Sequence, residues 1–308
     1  MRLDFRDKDI ISINDLSRED ILYVLEVADT MEPLFRRGSE ILRGKILISL
    51  FYEASTRTRL SFESAMHRLG GDVIGFAEPG TSSVKKGENL ADTIRVVENY
   101  GDIIILRHPM EGAARLAAEF ANIPVVNGGS GAEEHPTQAL LDMYTMKRES
   151  GSIDGLEIGI VGDLRYGRTV HSLVYGLANF DVNLYLIAPE SLKMHEEVVD
   201  QVKDRINVKE SQKIQDVLQD LDVVYVTRLQ KERYVDSSEY EKVKGAYKLT
   251  EDMLRSAKDS LIIMHPLPRV DEITFDVDST RHAKYFKQTQ YGVLTRMALL
   301  ALIFGAIN

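Results

Sequence analysis

Residues 53–62 read EASTRTRLSF and follow the apolar run KILISLFY at 45–52. Hydroxyls (Ser55, Thr56, Thr58) and guanidiniums (Arg57, Arg59) are thus set where a strand gives way to a helix. Phe62, Ala65, Met66 and Leu69 fall at helical spacing, and Gly70-Gly71 closes the segment. Ser55, Thr56, Arg57 and Thr58 would sit among free backbone N–H groups at the positive end of a helix dipole, a natural place for an anion. The same residues also suit an ordinary hydroxyl N-cap followed by solvated arginines. Residue type alone does not choose between the two.

Other apolar runs end on related chemistry. DIIILRHPM delivers Arg107 at a strand end, and NGGSGAEEHPTQALLDM places His135 directly before a helix whose first position suits Pro136. Gln138, three residues on, shares the face of His135. Hydroxyls, N–H donors, two arginines, an imidazole and an amide at one sheet edge suit a phosphate joined to a polarised carbonyl. LEIGIVGDLRYGRTVHSL is again strand, glycine turn and helix, with Arg168 in the first helical turn. Gly162-x4-Gly167-Arg168-Thr169 nearly matches a P-loop, but Arg stands where the phosphate-reaching Lys belongs. LDVVYVTR ends on Thr227-Arg228 rather than on a carboxylate for magnesium. Arg228-Leu-Gln230-Lys231-Glu-Arg233 opens a polar stretch, either a solvated face or a lid. The last strand runs into His265-Pro-Leu267-Pro268-Arg269, where two prolines remove N–H donors and leave backbone carbonyls as acceptors. The Leu267-Pro268 bond is a candidate for the cis form.

These residues need elements to hold them. Strands are expected at 45–52, 72–76, 102–107, 123–127, 156–161, 182–188, 222–227 and 260–264. Helices are expected at about 57–69, 88–99, 111–121, 136–148, 167–179, 192–204, 213–219 and 250–257, after a capping-box start at Ser17–Asp20. Alternation of this kind implies an α/β fold: two domains, each a parallel sheet flanked by helices. Glu149-Ser-Gly-Ser152 is the most linker-like stretch. The apolar C-terminal helix, with Val293, Leu294, Met297, Leu300 and Ala301, is expected to return and complete the first domain.

The chain has 308 residues, 48 acidic against 38 basic, and a net charge of −10, which argues against a general nucleic-acid binder. It contains no cysteine, which excludes disulfides, thiolate metal sites and thiol nucleophiles and fits a cytoplasmic location. Its longest apolar run, Met297–Phe304, is too short for a membrane span.

STRTRLSFE, TSSVKKGE, RHP, HPTQ, GDLRYGRTVHSL, TRLQKER and HPLPRVDEI, in this order, resemble the catalytic chains of the aspartate/ornithine carbamoyltransferase family, over about 45–306. The resemblance implies that a carbamoyl group passes from carbamoyl phosphate to the amine of L-aspartate, with no cofactor and no metal. Ser55, Thr56, Arg57 and Thr58 would cradle the phosphate. Thr58, Arg107 and His135 would converge on the carbonyl oxygen as the catalytic groups. Gln138 and the backbone carbonyls of Leu267 and Pro268 would take the carbamoyl NH2. Arg168, Arg228 and Gln230 would grip aspartate, helped by Lys86. Ser82 and Lys86 would come from a neighbouring subunit, which implies a homotrimer with shared sites; separate regulatory chains are a further implied partner. The implied domains are 1–134 with 286–308 for carbamoyl phosphate, and 135–285 for aspartate. Read without the resemblance, TSSVKKGE is a solvated loop with two lysines.

The ornithine enzymes share the first two-thirds of the signature. Arg228, Lys231 and Arg233 would repel a cationic ornithine side chain, and HPLP stands where those enzymes have HCLP, so aspartate is preferred. A P-loop-like nucleotide hydrolase and a non-catalytic phosphate-binding scaffold are the alternatives from other classes.

Overall fold

The computed structural model describes residues 4–77, 87–228 and 247–307. It divides into two compact units. Unit 1 comprises residues 1–144 and 289–308, and unit 2 comprises 145–288.

Unit 1 is built on a four-stranded, all-parallel sheet. Its strands are β1 (Ile46–Phe51), β2 (Asp72–Phe76), β3 (Ile103–His108) and β4 (Val125–Ser130), in the order β2-β1-β3-β4. The central runs LISLF and IIIL are buried throughout, as expected of strands covered on both faces. The helices are α1 (Arg18–Arg37), α2 (Thr56–Arg68), α3 (Leu90–Val97), α4 (Ala113–Phe120) and α5 (Pro136–Ser150). A capping box opens α1: Asp20 N–H donates to Ser17 Oγ (3.1 Å), and Ser17 N–H donates to Asp20 Oδ2 (3.0 Å).

Unit 2 holds a second parallel sheet of β5 (Glu157–Val161), β6 (Asn183–Ile187), β7 (Asn207–Ser211), β8 (Val223–Val226) and β9 (Ile262–Met264), in the order β7-β6-β5-β8-β9. Its longer helices are α6 (Arg168–Leu177) and α7 (Glu196–Val202). The final helix, α8 (Tyr285–Ile303), begins in unit 2 and ends in unit 1, as α5 does in the opposite sense. The expected return of the C-terminal helix to the first unit is what the fold does. Among the described residues, no helix is long and apolar enough to cross a membrane.

Three sequence expectations need correction. The helices expected at 213–219 and 250–257 are short 3-10 segments, Ile214–Asp216 and Glu251–Ser256. Each is shorter than the seven or eight residues expected, and 3-10 geometry, with its poorer hydrogen bonds, is used in short pieces of this kind. The strand β7 was not expected at all. NVKES is polar and mostly exposed because it lies at the sheet edge, where neither face needs apolar side chains.

Candidate active site

Strand order places the chemistry. In unit 1 the order reverses between β1 and β3, and in unit 2 between β5 and β8. Such reversals splay the connections apart at the carboxyl ends of the strands, which is where open α/β sheets bind ligands. Arg57 follows β1 and Arg107 ends β3; Arg168 follows β5 and Arg228 follows β8. Two arginines therefore flank each switch point.

At the first switch point Ser55 is the N-cap of α2, with φ −154° and ψ 101°. Its hydroxyl makes no capping bond into the helix, and the first turn carries no acidic residue. The α2 N-terminus thus keeps its positive end unneutralised by its own cap. Thr58, in the first turn, is buried at 6% exposure, and its Oγ1 lies 3.2 Å from Nε2 of His135, itself 3% exposed. His135 stands directly before α5, as Pro136 at the first helical position indicated. Phe51 of β1 pairs with Arg107 of β3. The Arg107 guanidinium donates through Nη1 to the Gly128 carbonyl (3.1 Å), and its Nε lies 3.3 Å from Glu53 Oε2. Arg59, the second arginine of the opening motif, instead pairs along the helix with Glu63 at 3.6 Å.

Gln138, in the first turn of α5, donates from Nε2 to Oδ1 of Asp142 at 2.9 Å. Asp142 is fully buried. Behind it Arg296, on α8, is 3% exposed and donates from Nη1 to Ser61 Oγ (2.9 Å) on α2, with Nη2 3.4 Å from Thr137 Oγ1 on α5. Burial pulls its pKa down to about 10, and the nearby Asp142 charge opposes that shift. Beside His135, buried Glu134 accepts from Ser12 Oγ (2.5 Å) and Ile13 N–H (2.9 Å); burial raises its pKa, and these two hydrogen bonds oppose the rise.

In unit 2 the β5 turn requires its glycine. Gly162 has φ 121°, and a Cβ there would lie 2.2 Å from the Thr227 carbonyl oxygen. This close approach, with Thr227 N–H donating to Val161 O at 2.8 Å, sets the Arg168 turn beside the strand end that carries Arg228. Both arginines are half-buried. On the neighbouring strand end, the Leu267-Pro268 bond is cis and Leu267 has φ 55°. The turn is organised by buried His265: the Leu267 N–H donates to Nδ1 (2.7 Å), and Nε2 lies 2.6 Å from Oε1 of Glu272.

Thus Ser55, Thr56, Arg57, Thr58, Arg107, His135 and Gln138 gather at the carboxyl ends of β1, β3 and β4. Arg168, Arg228, Leu267 and Pro268 gather at those of β5, β8 and β9. Ser82, Lys86 and Gln230 lie outside the described residues. Glu53, Asp142, Glu272 and Arg296 were missed. The signal for Asp142 was present, since it stands four residues after Gln138 on the same helical face.

Two family models match in sequence. The aspartate/ornithine carbamoyltransferase carbamoyl-P binding domain covers residues 8–148, and the Asp/Orn binding domain of the same family covers 154–303. The chain is 58% identical to the aspartate carbamoyltransferase catalytic subunit of Thermococcus kodakarensis, over 99% of this chain and all of that one. Among solved structures it is similar to the catalytic subunit of M. jannaschii aspartate transcarbamoylase (TM-score 0.91, 52% identity, 97% of this chain and 98% of that one). It is also similar to aspartate transcarbamoylase from Trypanosoma cruzi in complex with carbamoyl phosphate and aspartate (TM-score 0.92, 40% identity, 96% of each chain). With two strand-order reversals flanked by arginines, and family matches across both units, the chain belongs to the aspartate/ornithine carbamoyltransferase family.

Proposed function

We propose that this chain transfers the carbamoyl group of carbamoyl phosphate to the amine of L-aspartate, giving N-carbamoyl-L-aspartate and phosphate, a step of pyrimidine synthesis. The observation that carries this is the pairing of arginines at each strand-order reversal, with Thr58 and His135 joined at the first. The relatives that are more than half identical over nearly their whole length are named for aspartate, which favours this reaction over ornithine carbamoylation, a P-loop-like hydrolase or a silent scaffold.

Carbamoyl phosphate brings a dianionic phosphate and a carbonyl. The phosphate belongs at the α2 N-terminus, with Ser55, Thr56, Arg57 and Thr58. The carbonyl oxygen is taken by Thr58, Arg107 and His135, and the NH2 by Gln138 and the Leu267 and Pro268 carbonyls. Arg168 and Arg228 take the aspartate carboxylates, with Gln230 and Lys86. The neutral amine attacks the carbonyl carbon, and negative charge grows on its oxygen. The bond to the phosphate oxygen then breaks, and phosphate leaves with a proton from the amine. Two anionic reactants a few ångströms apart would repel by several kcal/mol in a partly dried site. Arginines oppose this, each charge-assisted bond contributing about 1.5–3 kcal/mol.

Ser82 and Lys86 are assigned to a neighbouring subunit, and the assembly is a homotrimer. Unit 1 leaves Leu60 (49%) and Ile74 (42%) exposed, large apolar side chains of the kind a subunit interface covers. Separate regulatory chains join the same proposal, because the relatives are named catalytic subunits. A cytoplasmic setting also belongs to it, in keeping with a cysteine-free chain.

The test is an assay of the purified protein with carbamoyl phosphate and either L-aspartate or L-ornithine. Equal amounts of ureido product and phosphate are expected with aspartate alone. Ornithine turnover, or phosphate release that depends on ATP and magnesium, would overturn the assignment.

A further inference from the structure

We propose that Asp142 is a positioning residue that locks the side-chain amide of Gln138 in one orientation, and so makes the protein select an NH2 group on its phosphorylated substrate. This rests on the assignment of Gln138 to the carbamoyl NH2.

A glutamine amide has two chemically opposite ends, an oxygen that accepts and an NH2 that donates. On a half-exposed side chain the two exchange by a simple rotation, so glutamine by itself does not distinguish a ligand's NH2 from its oxygen. A carboxylate removes the ambiguity because it only accepts. Asp142 Oδ1 takes the Nε2–H of Gln138 at 2.9 Å, one turn along α5. With one of the two Nε2 hydrogens held by Asp142, the amide cannot turn over, and Oε1 is fixed as the acceptor that Gln138 offers a ligand. The first turn of α5 reinforces the placement, since Gln138 N–H donates to the His135 carbonyl at 2.9 Å. Gln138 is thereby held beside the imidazole that reaches Thr58.

The lock is built into the core. Asp142 is fully buried and Arg296 nearly so. The Arg296 guanidinium bonds to Ser61 on α2, approaches Thr137 on α5, and lies 4.9 Å from the centre of the Phe62 ring. The Asp142 charge opposes the burial-driven fall in the Arg296 pKa, so the two groups lie within electrostatic reach. A buried carboxylate with no such partner would be costly to keep ionised. The C-terminal helix thus sets a cation near the lock, although Arg296 has no assigned contact with substrate.

The experiment compares carbamoyl phosphate with acetyl phosphate, which replaces the NH2 by a methyl group and keeps the phosphate and carbonyl. Dissociation constants for both are measured on the full-length protein and on Gln138→Ala, Asp142→Asn and the double variant. The wild type is expected to prefer carbamoyl phosphate, and Gln138→Ala to lose roughly tenfold of that preference, the worth of one hydrogen bond. Asp142→Asn lets the amide rotate and should lose several-fold of the same preference, while acetyl phosphate binding stays near its wild-type value. The double variant should be no less selective than Gln138→Ala alone. A general structural lesion would weaken both ligands together.

If Gln138→Ala keeps the full preference, the underlying assignment of Gln138 fails. If Gln138→Ala loses the preference but Asp142→Asn keeps it, the lock alone is overturned. Should Asp142→Asn not fold, the wild type still decides through its Gln138 side-chain NH2 signals by NMR. One proton held by a carboxylate exchanges slowly with water, and fast exchange of both would overturn the proposal.

Discussion

Thr58 Oγ1 and His135 Nε2 lie 3.2 Å apart, both buried, at the end of one parallel sheet. They are 77 residues apart in sequence and are joined only because β1 and β4 both flank β3. A hydroxyl and an imidazole in contact can share the stabilisation of one developing oxyanion. Loss of one such donor costs on the order of 10²–10³ in turnover. His135→Ala is therefore expected to lower kcat by that amount with a smaller change in the aspartate KM, read by steady-state kinetics.

Arg228 stands at the second strand-order reversal, where its expected role is to bind rather than to stabilise the transition state. Arg228→Ala should raise the aspartate KM by roughly 10–100-fold, the worth of one charge-assisted bond, while kcat falls less. If the two variants exchanged these patterns, the roles of the two units would have to be exchanged as well.

His265 and Glu272 form a buried pair at the β9 turn, 2.6 Å apart. The Leu267 N–H donates to Nδ1, so the imidazole must carry its proton on Nε2 and donate to Glu272. Burial alone would raise the Glu272 carboxyl, but the His265 hydrogen bond and the backbone N–H donors hold it below the usual carboxylate range. A folded-state pKa below the unfolded value contributes stability that is present above the unfolded value and lost as pH falls through the folded one. Urea unfolding of the wild type should thus weaken as pH drops below about 4.5, the ordinary glutamate value. Glu272→Gln should be less stable at neutral pH and lose less on acidification. Parallel pH profiles for the two proteins would contradict this account.

Gly162 lies in the left-handed region with a carbonyl oxygen in the path of any side chain. Gly162→Ala should cost more than about 2 kcal/mol, combining backbone strain with a clash between neighbouring strand ends. The thermal midpoint should fall, and aspartate affinity with it, because the same turn presents Arg168.

Lys86 and Arg57 test the shared site. Mixing inactive Lys86→Ala subunits with inactive Arg57→Ala subunits should restore part of the activity, since some sites then draw both intact residues from different chains. No recovery after subunit exchange would mean that each chain is self-sufficient.

The sequence alone determined the alternation of strand and helix, the parallel α/β class, and the chemical character of each strand end. Apolar runs such as ILISLF and IIILR, closed by hydroxyls, arginines and glycines, carry that information locally. Even the first position of α5 was legible, because Pro136 admits few other places. Tertiary structure decided what depends on neighbours. The polar segment NVKES became a strand only because β6 offered an open edge. The strand orders that set arginines in pairs arose from crossovers between distant segments. Arg296, set within the apolar stretch of its helix, reads as a surface cation, yet it is buried and within electrostatic reach of Asp142. Charge in a core is tolerated only where several separate elements supply its partners, and no local pattern in the chain records that meeting.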